Sequence, residues 1–236
     1  MHAITYDTAA GFPGRCDVVQ QFQGQAMWLF AGLGNPGERY AGNRHNIGFM
    51  ALDAIAGASR APVWRSRFQA LASEAMIGNV RVILMKPVTF MNESGRAIGE
   101  VARFYRIEPA NVVVFHDELD LPPASVRVKT GGGNAGHNGL RSASAVIGND
   151  YVRVRLGIGH PGEKARVHTY VLSDFAKAEQ PWVEDMCQAV ADQAALLMSG
   201  DHAGFQGRIK AGMMAKGHSP KDTSDAKRIG DADKTS

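Results

Sequence analysis

The apolar run at residues 112–115, Val-Val-Val-Phe, constrains the fold of this 236-residue chain more than any other segment. An uninterrupted apolar run of this kind is typical of a central β-strand that is covered on both faces. Such a strand needs helices on each side of its sheet, and helical and strand patterns do alternate along the chain. Their order predicts a single α/β domain, in which a twisted, mixed β-sheet has helices packed around it.

The other predicted elements follow from local patterns. The Gly78-Asn79 pair is typical of the tight turn of a β-hairpin. Apolar residues at helical spacing predict helices around residues 47–55, 98–105, 140–147 and 182–198. Short apolar or alternating runs predict strands at residues 27–31, 68–76, 80–85, 112–115, 125–130 and 152–156. In the last of these strands, Arg153 and Arg155 are predicted to form one polar face.

The two ends of the chain lack these patterns. Residues 1–26 contain Gly-Phe-Pro-Gly and a Gln cluster, which indicates an extension that is disordered or foreign to the native chain. Residues 216–236 consist mostly of small and charged residues, which bury too little apolar surface to offset the entropy lost on ordering. We therefore expect a disordered C-terminal tail there, and a folded domain at residues 27–215.

Composition excludes several classes of protein. The two cysteines, Cys16 and Cys187, cannot build a disulfide framework or a zinc ribbon, and Cys187 is expected to be buried on a helix. The formal net charge of +3 permits a nucleic-acid partner without requiring one. No apolar run approaches the ~18 residues of a membrane span, and residues 1–25 lack the apolar core of a signal peptide. A cytoplasmic protein without membrane contact is expected.

The glycine pattern GxGxxG begins at Gly32, Gly131 and Gly157. The first copy follows a predicted strand, as it does in dinucleotide-binding folds. Those folds begin a helix inside the motif, so that the helix N-terminus meets the pyrophosphate. Here Pro36-Gly37 predicts a turn, and the helical pattern begins only near Asn46. A dinucleotide cofactor is therefore disfavoured, and the chain has no G-x-x-x-x-G-K-S/T phosphate loop.

Polar residues follow several predicted strands, at the positions where α/β sheets carry their chemistry. A histidine titrates near neutral pH, and an adjacent carboxylate can orient its ring and stabilise the imidazolium. Asparagine amides can donate to a developing oxyanion. Together these groups suit hydrolysis by water, and no G-x-S-x-G serine motif competes with them. The polar segments are Asn35, Tyr40, residues 43–46, residues 89–92, residues 116–118 and His137-Asn138.

Other interpretations of these side chains are possible. Asp117, Glu118 and Asp120 could bind a divalent metal, but no second acidic cluster faces them in the pattern. His137 could simply begin a helix. His116 and His160 are expected to be structural. No metal site and no cofactor are predicted.

Four long segments carry a resemblance to a known family. They are GLGNPGERYAGNRHNIGF (32–49), KPVTFMNESG (86–95), HDELDLPPASVRVKTGGGNAGHNGL (116–140) and RLGIGHPG (155–162). In this order they closely resemble the bacterial peptidyl-tRNA hydrolases. The resemblance implies an enzyme that hydrolyses the ester between a peptide, or an N-blocked aminoacyl group, and the 3′ end of tRNA. It also implies a monomer that recycles tRNA after aborted translation and needs neither metal nor organic cofactor.

The resemblance also implies roles for single residues. His45 is expected to be the general base that activates water, and Asp117 to hold its imidazole in the productive tautomer. Asn35 is expected to sense the blocked peptide nitrogen. Lys129 and Arg153 resemble the basic pair that grips the 5′ phosphate of tRNA. The remaining expected substrate-binding residues are Tyr40, Phe90, Met91, Asn92, His137 and Asn138.

Two alternative classes of function remain open. One is a non-catalytic RNA-binding relative, which is disfavoured because His45, Asp117, Asn35 and Asn92 are all present together. The other is a dinucleotide-dependent oxidoreductase, which the turn at Pro36-Gly37 disfavours.

Overall fold

The computed structural model describes residues 26–218, so Cys16 and most of both predicted terminal segments lie outside the described residues. The described residues form seven strands: β1 (Trp28–Gly32), β2 (Arg65–Arg67), β3 (Ala70–Ile77), β4 (Val80–Pro87), β5 (Val112–Glu118), β6 (Val126–Thr130) and β7 (Val152–Gly157). The helices are α1 (Ile47–Ala58), α2 (Ser94–Tyr105), α3 (Asn138–Ile147), α4 (Val167–Val171), α5 (Gln180–Asp192), α6 (Ala195–Met198) and α7 (His202–Ala215).

The strands form one seven-stranded sheet in the order β2-β3-β4-β1-β5-β7-β6. The four inner strands β4, β1, β5 and β7 are parallel, and antiparallel pairs extend the sheet at both edges. Every residue of β5 is buried, as the apolar run predicts. The predicted α/β fold with a mixed sheet is confirmed.

Helices cover both faces of the sheet. Alternate residues of each inner strand enter opposite cores, because side chains along a strand point to alternate faces. Phe30 packs with α1, α5 and α7 on one face. Its neighbours Leu29 and Ala31 pack with α2 and α3 on the other face. Among residues 26–218, no helix has both the length and the apolar character needed to cross a membrane.

Helix α1 lies in direct contact with the ends of two central strands. A Cβ atom on Gly48 would lie 2.4 Å from the Phe115 carbonyl oxygen and 2.6 Å from the Leu33 nitrogen, so only glycine permits this approach. The helix begins at Ile47, after a 3₁₀ turn at Arg44–Asn46, and not inside the first glycine motif as a dinucleotide fold requires. This packing brings the turn that contains His45 to the carboxyl end of β5.

Several local predictions can be compared with the structure. The Gly78-Asn79 turn is confirmed, since Ile77 pairs with Val80 across the hairpin. Cys187 is buried on α5 as predicted, and burial raises the pKa of its thiol to about 12. The predicted helix at residues 182–198 is instead two helices, because the Ala194 N–H bonds to the Ala191 carbonyl three residues back and tightens the turn. The predicted polar face of β7 is wrong at Arg153, which is buried.

Candidate active site

Three chain segments meet at the Asp117 carboxylate, near the carboxyl end of β5. Its Oδ1 atom lies 2.8 Å from His45 Nδ1 and 2.9 Å from His137 Nε2. His45 comes from the turn before α1, and His137 is the N-cap residue of α3. The carboxylate is buried, and both rings are largely covered. Residues 72 and 20 positions away in the sequence therefore bond to the same oxygen atom.

The start of α3 determines the tautomer of His137. The backbone N–H groups of Gly139 and Leu140 donate to His137 Nδ1, over 3.1 and 3.4 Å. Because Nδ1 accepts these bonds, the ring proton must be on Nε2, which donates to Asp117. His45 donates to the same carboxylate through Nδ1, so its Nε2 is the atom left to take a proton. His137 therefore caps a helix and also orients the carboxylate.

The charges at this site stabilise an ionised carboxylate and a more basic histidine. Burial alone would raise the pKa of Asp117, but the attraction and hydrogen bonds of His45 and His137 outweigh it and hold that pKa well below its usual range. Burial would likewise lower the pKa of His45, but the charge and hydrogen bond of Asp117 raise it above the ordinary value of 6.5. His45 is therefore a stronger base than an unperturbed imidazole.

A third histidine, His116, stays neutral beside this pair. Its Nδ1 donates to the Asp117 backbone carbonyl over 2.7 Å, and within residues 26–218 its buried Nε2 has no hydrogen-bond partner. Burial, and then repulsion from His137, lowers the pKa of His116 to about 3. The ring cannot compete with His45 for a proton at neutral pH.

His45, Asp117 and His137 offer three ligand atoms within 4.8 Å of one another, a set that could in principle bind a metal ion. A neutral imidazole ligates through an unprotonated nitrogen. Ligation by His137 Nε2 would move its proton to Nδ1, where the N–H groups of α3 already point. The tautomer of His137 therefore disfavours metal binding at this cluster. At the alternative acidic site, the two Glu118 oxygens accept from Arg155 Nε and the Asp120 N–H.

Asn35 is held rigidly by a second asparagine. The Asn46 side chain accepts from the Asn35 N–H and donates to the Asn35 carbonyl, each over 2.9 Å. Asn35 Oδ1 accepts from the Met91 N–H at 3.0 Å. The Asn35 side chain therefore presents its NH₂ group as a donor. Sequence reasoning did not single out Asn46, whose position beside His45 was its one visible signal.

A cavity of about 900 Å³ lies over these groups. Eight of the nine predicted catalytic and substrate-binding residues line it. Tyr40 is not among them, and its ring lies under the Arg39 guanidinium at 4.6 Å. A further part of the lining comes from α4 and the segment before it, where only His160 was named from the sequence and was expected to be structural. The lining residues from that region are His160, Lys164, Val167, His168, Val171 and Leu172.

A second cavity, of about 310 Å³, contains the predicted phosphate-binding pair. Lys129 and Arg153 lie directly opposite each other on β6 and β7. Lys129 is exposed, but Arg153 is only 2% exposed and donates to the Gly133 carbonyl over 2.7 Å. It also donates to Asn149 Oδ1. Arg155, which was not one of the two residues assigned to the phosphate from the sequence, lines the same cavity.

An imidazole held by a buried carboxylate, beside amide donors in an open cavity, suits enzymes that hydrolyse acyl compounds with an activated water. Comparison with known proteins narrows this class. The model of the peptidyl-tRNA hydrolase family matches residues 29–216, and the chain belongs to this family.

Relatives and solved structures agree with the family match. The chain is 65% identical over 205 residues to the peptidyl-tRNA hydrolase of Methylobacterium sp. (strain 4-46), covering 87% of this chain and 98% of that protein. It is 61% identical over 196 residues to that of Bradyrhizobium diazoefficiens, covering 83% and 98%. The crystal structure of peptidyl-tRNA hydrolase from Acinetobacter baumannii superposes with a TM-score of 0.73 at 37% identity, over 78% of this chain and 94% of that one.

Proposed function

We propose that this chain hydrolyses the ester between a peptide, or an N-blocked aminoacyl group, and the 3′ end of tRNA, with His45 as the general base. Family membership makes the chain a peptidyl-tRNA hydrolase. The observation that supports His45 as the base is its 2.8 Å contact with the buried Asp117 carboxylate, at the edge of the large cavity. A non-catalytic RNA-binding protein would have no need of a histidine paired with a buried carboxylate at the edge of a cavity.

The reaction needs two proton transfers, one from water to His45 and one from His45 to the leaving ribose oxygen. His45 Nε2 takes a proton from water as the water oxygen bonds to the ester carbonyl carbon. Asp117 stabilises the imidazolium that results, and His137 holds the carboxylate in place. The ester C–O bond then breaks, and His45 returns the proton to the ribose oxygen of the tRNA 3′ end. The products are the free peptide carboxyl group and a tRNA with a free hydroxyl.

The orientation of the Asn35 amide explains selectivity for a blocked amino group. Its oxygen is occupied by the Met91 N–H, so its NH₂ group donates toward the substrate. A blocked amino group carries a carbonyl that accepts this bond, whereas a free ammonium is itself a donor. Asn92 and Asn138 supply further amides, while Phe90 and Met91 remain proposed contacts in the cavity. Tyr40 remains a proposed substrate contact although it lies outside the cavity lining.

The second cavity is proposed to bind the 5′ phosphate. It shares His116, Glu118, Ala135 and Leu140 with the large cavity, so the two sites adjoin, as the two ends of one tRNA acceptor stem do. Lys129 and Arg153 are the proposed pair. Arg153 also donates to the Gly133 carbonyl and so holds the glycine loop, and Arg155, whose Nε donates to Glu118, is a further cation in the lining beside Lys129.

The rest of the proposal concerns the form of the enzyme. All groups assigned to the reaction come from one chain, which supports an active monomer. The substrate arises from translation, which supports a cytoplasmic enzyme. Residues 27–215 are proposed as the catalytic unit, with residues 1–26 and 216–236 flanking it. Residues 216–218 already contact the domain, since Lys216 and His218 lie 2.6 and 2.7 Å from Asp185.

Incubation with an N-acetylated aminoacyl-tRNA and its unblocked twin tests the proposal. We expect release of free tRNA from the blocked substrate, with little from the unblocked one. Asn35→Asp puts a carboxylate where the NH₂ group was, so the ratio of kcat/KM for unblocked to blocked substrate should rise. Asn79→Asp, in the exposed hairpin turn, is the matched control. Equal cleavage of both substrates by the wild type would contradict the function, and an unchanged ratio in Asn35→Asp would contradict the role of Asn35.

A further inference from the structure

Arg44, which directly precedes His45, contacts several residues that are far from it in the sequence. Its side chain is buried and its guanidinium reaches one distant segment of the chain. Nη1 donates to Ser173 Oγ over 2.9 Å and to the Asp174 carbonyl over 2.5 Å. Nη2 forms an ion pair with Glu179 over 2.5 Å. Both Nη atoms of this planar group are therefore engaged by residues 173–179, while its buried Nε has no hydrogen-bond partner within residues 26–218.

Residues 173–179 make further contacts with the turn that contains His45. The Tyr170 and Phe175 rings lie 4.5 and 5.1 Å from the guanidinium, within range of cation–π attraction. The Arg44 N–H donates to the Ser173 carbonyl, and the Phe175 N–H donates to the Gly42 carbonyl, each over 3.0 Å. The segment that follows α4 is thus joined to the catalytic turn by side-chain and backbone bonds.

Both joined parts border the large cavity. On one side, the Arg44 carbonyl accepts from the Ile47 N–H and closes the 3₁₀ turn that holds His45. On the other side, α4 precedes residues 173–179 and supplies Val167, His168 and Val171 to the cavity lining. A displacement of the guanidinium would therefore affect the base and the cavity lining together.

We propose that Arg44 is a positioning residue that holds His45 against Asp117 and holds α4 on the cavity wall, so that proton transfer and substrate binding depend on one side chain. The inference rests on the proposed role of His45. A lysine cannot replace Arg44, because a single ammonium lacks the planar fork that binds Ser173, Asp174 and Glu179 at once.

The pKa of His45 reports on this placement. The charged or titratable groups that face its ring are Asp117 from β5 and His137 from the start of α3, with the two rings 5.0 Å apart. Asp117 raises the pKa of His45. Because Coulomb attraction weakens with distance, a displaced turn should lower the pKa of His45 toward its ordinary value.

The test compares Arg44→Lys with the wild type. We expect kcat for the N-acetylated aminoacyl-tRNA to fall roughly 10- to 100-fold, the effect of a misplaced catalytic group, and KM to rise. The acid limb of kcat/KM should move to lower pH, and the His45 pKa from NMR titration should fall with it. The control is Asp185→Asn, which breaks the ion pairs with Lys216 and His218 outside the cavity lining and should leave all four values unchanged.

Glu179→Gln is the second variant, because Arg44→Lys could fail to fold. It removes the ion pair and keeps Arg44, so kcat, KM and the His45 pKa should change in the same directions as in Arg44→Lys, but by less. A lower melting temperature with unchanged kcat, KM and His45 pKa in these variants would mean a purely structural role and would overturn the proposal. The NMR titration needs no substrate. If the wild type failed to cleave the substrate, the proposed function would fail, while the titration alone would still decide the role of Arg44.

Discussion

The Asp117 carboxylate controls the charge state of the proposed active site. A buried carboxylate is costly to ionise unless groups that donate to it offset the loss of water. Here two imidazoles donate to one oxygen, and the tautomer of one of them is determined by a helix N-terminus. The remaining imidazole, His45, gains basicity from the same charge.

Asp117→Asn should change the pH dependence in a definite direction. The raised pKa of His45 requires the negative charge of Asp117, and without it burial remains and lowers that pKa. The acid limb of kcat/KM should therefore move to lower pH. The value of kcat should fall roughly 10- to 100-fold, less than on loss of the base itself, because the imidazolium loses its support.

The measurement is a pH profile of kcat/KM for the blocked aminoacyl-tRNA. Glu93→Gln removes an exposed carboxylate and serves as the matched control, with no expected shift. An acid limb that stayed in place or moved to higher pH in Asp117→Asn would show that Asp117 does not set the basicity of His45.

At the residue scale, the resemblance to the peptidyl-tRNA hydrolases paired His45 with Asp117, but the contact of His137 with Asp117 was not predicted. The positions of His45, Asp117 and Asn35 beside predicted strands and helices marked them only as candidates, and their roles came from the resemblance. The tautomer of His137 depends on hydrogen bonds from particular backbone N–H groups. The placement of Asn35 likewise depends on the two hydrogen bonds between the Asn46 side chain and the Asn35 backbone. The burial of Arg44 depends on contacts some 130 residues away in the chain, which no local pattern reveals.

At the scale of elements, helix α3 connects stability to catalysis through His137. The residue accepts from two N–H groups at the helix start and donates to Asp117. Asparagine is a good N-cap but cannot reach both positions, and alanine supplies neither bond. His137→Asn and His137→Ala can therefore separate the two roles.

We expect His137→Ala to lose about 1 kcal/mol of helix capping, or roughly 2–4 °C in melting temperature, relative to His137→Asn. Both variants should have lower kcat, because the Asp117 carboxylate loses a donor. Asp201→Ala removes the N-cap of α7 and should lower the melting temperature without changing kcat. Wild-type kcat in His137→Asn would mean that the contact with Asp117 is dispensable.

Elements with a strong pattern of their own were predictable, and the others were not. The central strand and helices α1, α2 and α3 follow clear apolar periods. Helix α7 contains three glycines and buries only Phe205, Ile209 and Met213, so its pattern is weak. Arg153 broke the alternation rule because its buried Nη1 and Nη2 atoms donate to the Gly133 carbonyl and to Asn149, which lie outside the strand.

At the scale of the whole molecule, the proposed substrate would contact two adjoining cavities, one at the carboxyl end of β5 and one beside the paired strands β6 and β7. Its 3′ end would lie over His45 and its 5′ phosphate near Lys129. Phosphate contacts position a nucleic acid without reading its sequence. They should therefore affect KM for tRNA and its salt dependence, and not the chemistry at His45.

Lys129→Ala and Arg155→Ala should abolish the preference of the wild type for tRNA with a 5′ phosphate over tRNA without it. Their KM should rise and its salt dependence flatten, with kcat on small ester substrates unchanged. Arg153→Ala should lose the same preference and also melt at a lower temperature, because it releases the glycine loop. Lys177→Ala removes an exposed cation elsewhere as a control. If all three variants discriminated as the wild type does, the phosphate site would lie elsewhere.

The central claim is that His45 activates water, and the rate of hydrolysis by His45→Ala under saturating substrate tests it most directly. We predict that kcat for an N-acetylated aminoacyl-tRNA falls at least ~10²-fold while KM stays close to that of the wild type. His202→Ala, on α7, should keep the wild-type rate. Near-normal turnover by His45→Ala would contradict the account and remove His45 from the mechanism.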